Sequence, residues 1–165
     1  MSGYQSQLTQ FGGGAQYRSL TLAIVAAAFG DSATARIHAD SMIREARAEL
    51  AKRDVGVDPF HARAQVESQI AVAMAIRGER EPAVRLGEAS VGEFGPEQDA
   101  VDGIVTLNNL ALTYTIAGRR AEAVSALRRA LTTPGSMTRA FLALDPRWDS
   151  LRSDPGFQQL LAAPD

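Results

Sequence analysis

Three glycines divide this 165-residue sequence in the same way, and they restrict its fold more than any other feature. The segments FGDS, RGERE and AGRRAEA each place a glycine after an apolar stretch and before a polar, alanine-containing one. Glycine ends helices well because it adopts positive φ angles without the steric cost of a Cβ atom. Gly30, Gly78 and Gly118 are therefore predicted to be corners between paired antiparallel helices. Asp31 is positioned to cap the helix that follows the first corner.

The apolar residues between these corners have helical spacing. They recur at separations of three and four residues, which places them on one face of a helix. No segment shows the sustained alternation of a half-buried strand bounded by hairpin turns. The sequence therefore predicts an all-α fold. The stripes are Leu22, Val25, Ala26 and Phe29; Ala35, Ala39, Met42, Ala46 and Leu50; Val66, Ile70, Ala73 and Met74; Val84, Gly87, Val91 and Phe94; Leu107, Leu110, Ala111 and Tyr114; and Val124, Leu127 and Leu131.

The corners lie 48 and 40 residues apart, which indicates an internal repeat of helix pairs, as in a helical solenoid. Polar stretches containing Gly and Pro separate the pairs. In RDVGVDPFHA, Asp58 and Pro59 are positioned to start a helix. In FGPEQDA, Gly95 is expected to end one helix and Pro96 to begin the next. The stretch TTPGS ends the third pair.

The segment TLNNLALTYTIAGRRAEAVSALRRALTTPG, residues 106–135, resembles a tetratricopeptide repeat (TPR) in the order and spacing of its apolar residues. The rest of residues 16–135 follows the pattern more loosely than this segment, with Ser19 in place of the usual aromatic residue and Gly87 in place of a bulky one. The resemblance implies a short right-handed α-solenoid of about three TPR-like antiparallel helix pairs, whose inner helices line a concave groove. The matching residues are Leu107, Leu110, Ala111, Tyr114, Gly118, Ala123, Leu127, Ala130 and Pro134.

The C-terminal stretch FLALDPRWDSLRSDPGFQQLL resembles the ending of many bacterial TPR proteins, including multi-repeat signalling proteins. Its Asp-Pro pairs, at Asp145 and Asp154, are typical helix starts. Because the last repeat of a solenoid exposes an apolar face, we predict that residues 136–165 form a helical cap over it. Trp148 should be buried there, with its indole N–H bonded to an acceptor. The apolar side of the cap would comprise Phe141, Leu144, Trp148, Leu151, Phe157, Leu160 and Leu161.

Composition argues against several classes of function. The chain has no cysteine, two distant histidines and a net charge of -2, which disfavours thiol chemistry, a His-rich metal site and binding to nucleic acid or anionic membranes. Asp145, Asp149 and Asp154 could act as catalytic carboxylates or metal ligands. Helix starts explain two of these residues, however, and an arginine partner would explain the third. We therefore expect no catalytic residue, no cofactor and no metal.

The N-terminal residues 1–15 include Gly12, Gly13 and Gly14 and are expected to form a flexible lead-in or a partial cap. They do not resemble a targeting signal. The longest apolar stretch, Leu20–Phe29, is half of the roughly 20 residues that a membrane span requires. The sequence thus predicts a cytoplasmic location.

Two amides, Asn108 and Asn109, lie inside an otherwise apolar helix, where burial without partners would be costly. The TPR register implies that Asn108 faces the concave groove together with residues of the second and third units. The alternative for Asn109 is a hydrogen bond to a backbone carbonyl of a neighbouring turn. The candidate partner-binding residues are Gln65, Ser68, Val72, Asn108, Asn109, Leu112 and Thr115.

These features favour a non-catalytic interaction module that binds a protein or peptide segment in the groove. The groove lacks the several Lys or Arg residues that chaperone-binding TPRs use. A regulatory or sensory module of a larger bacterial signalling protein, such as a Ser/Thr kinase, a cyclase or a transcriptional regulator, is one alternative, and an enzyme with a groove active site is another.

Charge is unevenly distributed along the sequence, with five acidic residues and no basic residue between Glu88 and Asp102. This polarity could orient a partner or support self-association.

Overall fold

A computed structural model describes residues 15–52, 62–133 and 137–163, which form helices and short connections with no β-strand among them. The all-α prediction is confirmed. No helix within these ranges is long and apolar enough to cross a membrane. The expectations for Gly12–Gly14, Asp58–Pro59 and Pro134 lie outside the described residues. The helices are α1 (Ala15–Ala28), α2 (Ser32–Lys52), α3 (Ala62–Arg77), α4 (Arg80–Glu93), α5 (Ile104–Ala117), α6 (Arg120–Thr132), α7 (Arg139–Leu144), a 3-10 helix (Pro146–Leu151) and α8 (Pro155–Ala162).

The three predicted glycine corners join consecutive antiparallel helices. Gly30, Gly78 and Gly118 have φ angles of 79°, 97° and 81°, all in the left-handed region. Each of these glycines donates its amide hydrogen to a carbonyl in the last turn of the helix before it. After the first corner, the Asp31 carboxylate accepts a hydrogen bond from the Thr34 amide at 3.0 Å and so caps α2. The corner and capping predictions are confirmed.

The helix pairs stack in chain order. α3 packs against both α2 and α5, and α4 packs against α5, so the second pair is held between the first and the third. The first helices of the pairs, α1, α3 and α5, are neighbours, and we call them the inner helices. This arrangement is that of a short helical solenoid. Its core alternates small and large apolar side chains, among them Ala23, Ala39, Met42, Ile70, Ala73, Leu107, Ala111 and Leu127.

Gly87 in α4 explains one departure from the usual TPR pattern. The residue is buried, and a Cβ atom at this position would lie 3.0 Å from Leu110 Cδ1 and 3.7 Å from Ala71 Cβ. The missing side chain therefore lets α4 approach α3 and α5 closely. A bulky residue here would force these helices apart.

The link between the second and third pairs differs from the prediction. The segment after Pro96 forms turns, and α5 begins only at Ile104. The Asp99 carboxylate accepts hydrogen bonds from the Val101 and Asp102 amides at 2.8 and 2.9 Å. Such local side-chain bonds compete with helical hydrogen bonding. The expectation that a helix restarts at Pro96 is therefore wrong.

The C-terminal segment forms a helical cap in which both Asp-Pro pairs start helices. The Asp145 carboxylate accepts a hydrogen bond from the Arg147 amide at 3.0 Å. The Asp154 carboxylate accepts bonds from the Gly156 and Phe157 amides at 2.8 and 3.2 Å. α8 packs against α6, while the 3-10 helix contacts α5 and α1. The cap thus covers the last helix pair and also reaches the first.

Trp148 is the largest fully buried side chain of the described residues, with 1% exposure. Its predicted burial is confirmed, but its predicted hydrogen bond is wrong, because Nε1 has no partner in the described part of the chain. The Arg147 guanidinium lies 5.7 Å from the indole centre, within cation–π range. Phe141 and Leu144 are 51% and 82% exposed, so their assignment to the buried side of the cap is wrong. Leu142 is buried instead, because the short α7 turns only one side toward the core.

The first apolar stripe points away from the core. Leu22, Val25 and Phe29 are 47%, 45% and 83% exposed, whereas Leu20 and Ala23 are buried. An apolar stripe usually faces the core, but the sequence of α1 is apolar on nearly every side. Contacts with α2 and α3 select the buried side of this helix.

Candidate functional site

The seven candidate groove residues lie on two inner helices that pack against each other, α3 and α5. Their exposure differs. Ser68 and Val72 are 0% exposed, Leu112 is 2% exposed and Thr115 is 7% exposed. The half-buried residues are Gln65, Asn108 and Asn109. The structure brings the seven residues together along the interface between α3 and α5. Most of the surface that these residues expose to solvent belongs to the three half-buried ones.

Asn109 links the two inner helices. Its side-chain amide donates to Ser68 Oγ at 2.9 Å, and the Ser68 hydroxyl donates to the Gln65 carbonyl at 2.7 Å. The alternative of a backbone carbonyl as the Asn109 partner is therefore wrong, since the acceptor is a side chain across the interface. Because buried polar groups require such partners, the Asn109–Ser68 hydrogen bond stabilises the contact between the second and third helix pairs.

The candidate groove residues carry no charged side chain, and few of their polar groups are accessible to a partner. Gln69 Oε1 and Asn108 Oδ1 are buried and have no hydrogen-bond partner among the described residues. The Thr115 hydroxyl donates to the Ala111 carbonyl at 2.8 Å. Its oxygen can therefore act only as an acceptor toward a partner.

A pocket of about 240 Å³, which we call the inner pocket, lies beside Leu112 and Thr115. α1, α5 and the 3-10 helix form its walls, and the residues that line it include Ile24, Ala27, Leu112, Thr115, Arg147 and Ser150. Its charged groups are engaged within the chain. Arg147 pairs with Asp145 at 2.6 Å, and the lining residue Asp149 pairs with Arg152 at 2.7 Å. The inner pocket therefore offers mainly apolar surface.

A second cleft of about 440 Å³, which we call the end cleft, adjoins the inner pocket. Val25 and Phe29 of α1 form one wall, and Phe141 and Leu144 of α7 form the other. The residues shared by the pocket and the cleft are Ile24, Ala28, Pro146 and Arg147. One continuous apolar depression thus runs from the inner helices to the place where α1 meets the cap.

Asp145 is the acidic group at the end cleft. Burial would raise the pKa of its carboxyl, but hydrogen bonds from the Arg147 side chain, at 2.7 Å, and from the Arg147 amide outweigh burial and hold the pKa below its ordinary value. An interaction with the Trp148 side chain makes a smaller contribution that also lowers this pKa. Asp145 is therefore ionised at neutral pH, and its pair with Arg147 leaves the cleft without net charge.

The acidic run between Glu88 and Asp102 is partly used inside the chain. Tyr114 donates its hydroxyl hydrogen to Glu88 at 2.7 Å, and Arg129 pairs with Glu97 at 2.5 Å. Both contacts join the second helix pair, or the link that follows it, to the third. These two acids therefore serve the stacking of the pairs.

The acidic side chains of the described residues do not assemble a metal site. No group of three His, Asp or Glu side chains within residues 15–52, 62–133 and 137–163 could hold a metal ion. Asp145 and Asp154 cap helices, and Asp149 pairs with Arg152. The three aspartates that the sequence offered as possible metal ligands thus have structural roles.

The contribution of the two chain ends to the site was not predicted from the sequence. Ile24 and Ala28 belong to the first helix pair, where the match to the TPR pattern is weakest, and Pro146 and Arg147 belong to the cap. Their meeting depends on how three helix pairs stack. No local motif in the sequence marks these four residues as neighbours.

The comparison with protein families yields a match within the third helix pair. Residues 104–133, which comprise α5, the Gly118 corner and α6, match the family model of the tetratricopeptide repeat. The chain contains a tetratricopeptide repeat. This TPR coincides with the segment in which the resemblance rests on the largest number of matching residues, and the two earlier helix pairs stack onto it. Neither the comparison with curated proteins nor the comparison with solved structures yields a match. A TPR indicates, in general terms, a module for interaction with another protein.

Proposed function

We propose that this protein binds a segment of another protein or peptide at its inner helices, with the inner pocket as the anchoring site. The observation that supports this most directly is the meeting of Leu112 and Thr115, two candidate groove residues, with α1 and the cap around one pocket. Gln65 and Asn108 extend the proposed surface along α3 and α5. The proposal includes a cytoplasmic location, as the sequence predicts.

The chemistry of the inner pocket favours an apolar or neutral polar anchor. Its ionised groups, Arg147 and Asp149, already have partners of opposite charge, so a charged anchor would be desolvated without a free counter-charge. The Thr115 oxygen and the exposed Ser150 are uncharged polar groups of the lining. A small apolar side chain with a neighbouring amide or hydroxyl donor would use both kinds of surface.

Arginine substitutions at exposed lining residues test the proposal. Ala27 and Ser150 are exposed and line the inner pocket, so Ala27→Arg and Ser150→Arg should fill the pocket without disturbing the core. Asn108→Arg tests the half-buried part of the surface. Ser125→Arg, on the exposed side of α6, is the matched control. The measurement is affinity capture on the immobilised full chain, quantified by mass spectrometry.

The proposal predicts that the same captured proteins disappear with the three site variants and stay with the Ser125→Arg control. Circular dichroism must show unchanged helical content in all four variants. If the site variants are folded and capture every protein that the unmodified chain captures, binding at the inner helices is wrong. A regulatory part within a larger signalling protein would use the same binding event, so this experiment tests that alternative as well.

A further inference from the structure

α1 presents an unpartnered apolar seam to solvent. Leu22, Val25 and Phe29 follow one another at i, i+3 and i+7, the spacing of a seam that packs against another helix. They are 47%, 45% and 83% exposed. Contiguous apolar surface of this kind on a folded chain marks an interaction site.

The end cleft lies beside the seam and shares Val25 and Phe29 with it. Phe141 and Leu144, with exposures of 51% and 82%, stand opposite Val25 and Phe29 across the cleft. Thr21, one turn before Val25, lines the same cleft. The seam thus offers both a ridge, with Phe29 as its most exposed residue, and an apolar recess of about 440 Å³ beside it.

Opposite charges lie at the two ends of the seam. Arg18 lies in the first turn of α1, seven residues or about 10 Å before Val25, and Asp31 follows the Gly30 corner, three residues beyond the end of α1 at Ala28. Arg18 is exposed and has no ion pair or hydrogen bond within the described ranges. Asp31 is exposed too, and the bonds from Thr34 lower the pKa of its carboxyl, so it is ionised at neutral pH.

We propose that this seam is the two-fold interface of a homodimer, in which α1 packs antiparallel to α1 of a second copy with Val25 at the axis. Antiparallel pairing about Val25 sets Arg18 of each copy beside Asp31 of the other, so two ion pairs form. The same pairing sets Phe29 of each copy beside Thr21 of the other, at the mouth of the end cleft. Ridge and recess are therefore complementary under one symmetry operation, which an isologous interface requires.

Charge complementarity selects a second copy as the occupant. A two-fold axis through Val25 exchanges the ends of the seam, so its positive end meets a negative end twice. The inference goes beyond the proposed function, because it uses the outer side of α1 and leaves Ala27 and Ser150 of the inner pocket accessible. Its failure would leave the proposed function untouched.

Sedimentation equilibrium of the full chain tests the dimer. The chain has a mass of 17.6 kDa, and the dimer should have about twice this mass. Val25→Glu and Phe29→Glu alter exposed residues, so both variants should fold and sediment as monomers. Ile37→Glu, a 64% exposed position on α2, is the matched control and should stay dimeric. A monomeric unmodified chain, or a dimer that both seam variants leave intact, would overturn the proposal.

A charge exchange tests the antiparallel geometry. Arg18→Glu alone and Asp31→Lys alone each place like charges together twice, so the dissociation constant should rise about tenfold or more. An equimolar mixture of the two variants should recover dimers, because a mixed dimer forms one native pair and one reversed pair. A mixture no tighter than either variant alone would contradict the two-fold pairing. Circular dichroism of each variant controls for the loss of the Asp31 cap.

Single cysteines locate the axis in this cysteine-free chain. Val25→Cys should cross-link to itself rapidly under mild oxidation, whereas Ile37→Cys should not. Two other occupants have distinct outcomes. A monomer whose Cys at position 25 reacts slowly with a maleimide would indicate that another part of the same chain covers the seam. A monomer whose Cys reacts at the rate of the Ile37→Cys variant would indicate a surface open to a different protein. Either result would overturn the dimer.

Discussion

Truncation of Trp148 to alanine tests how strongly the cap holds the solenoid. The residue is 1% exposed, and loss of a buried aromatic side chain of this size costs about 3–5 kcal/mol. Its N–H has no hydrogen-bond partner, so the substitution also removes an unsatisfied buried donor, which partly offsets the lost packing. We therefore expect Trp148→Ala to lower the free energy of unfolding by about 3 kcal/mol, the lower end of that range.

Urea unfolding followed by far-UV circular dichroism measures this loss. Trp148 is the one tryptophan of the chain, so its fluorescence reports on the cap in the unmodified protein. Coincident fluorescence and dichroism curves would show that cap and solenoid unfold together. Gln159→Ala, an exposed position on α8, is the control and should change stability by less than about 0.5 kcal/mol. An effect of Trp148→Ala no larger than that of this control would refute the reasoning.

Three further predictions concern local features. Gly118→Ala should cost about 1–2 kcal/mol through backbone strain alone, because φ is 81° and a Cβ atom would meet nothing within 4 Å. Asp154→Ala should cost about 1 kcal/mol, because it removes the acceptor for two backbone amides at the start of α8. The pKa of Asp145 in the folded chain lies below its ordinary value of 3.8, so its stabilising contribution is present above about pH 4 and is lost as the pH falls through the folded pKa. Asp145→Asn should therefore weaken the acid-induced loss of unfolding free energy.

Each of these predictions has a matched comparison in urea unfolding. Gly92→Ala, in the last turn of α4 with open space around it, should stabilise by about 0.5 kcal/mol, the opposite sign to Gly118→Ala. Asp154→Ser retains a capping oxygen and should lose less stability than Asp154→Ala. Asp145→Asn is compared with the unmodified chain, whose unfolding free energy should fall more steeply below about pH 4. Equal responses within any pair would contradict the corresponding assignment.

Local chemistry made most of the fold predictable. Gly30, Gly78 and Gly118 end helices through their own φ angles, and Asp145 and Asp154 start helices by bonding amides two or three residues away. These effects act within one turn of chain. The predicted helix start at Pro96 was wrong for a local reason as well. The Asp99 side chain accepts hydrogen bonds from the backbone, and α5 begins only at Ile104.

The candidate site was less predictable, because its geometry depends on distant contacts. The register assigned Leu112 and Thr115 to a concave groove, and in the structure both residues line a pocket, but the register did not show that Val72 is fully buried or that Asn109 bonds Ser68. Burial and hydrogen bonding of these side chains depend on how closely α3 approaches α5. That distance follows from the packing of whole helices.

By itself the sequence determined the helical class, the three corners, the repeated pairing and the two starts within the cap, since each follows from steric or hydrogen-bonding preferences of adjacent residues. Only the tertiary structure decided which side of α1 meets solvent, because that helix is apolar nearly all round and its neighbours select the buried side. It also decided that Ile24 and Pro146, 122 residues apart, line one pocket. Contacts at such separations arise when rigid helix pairs stack, and no short segment of sequence specifies the resulting curvature.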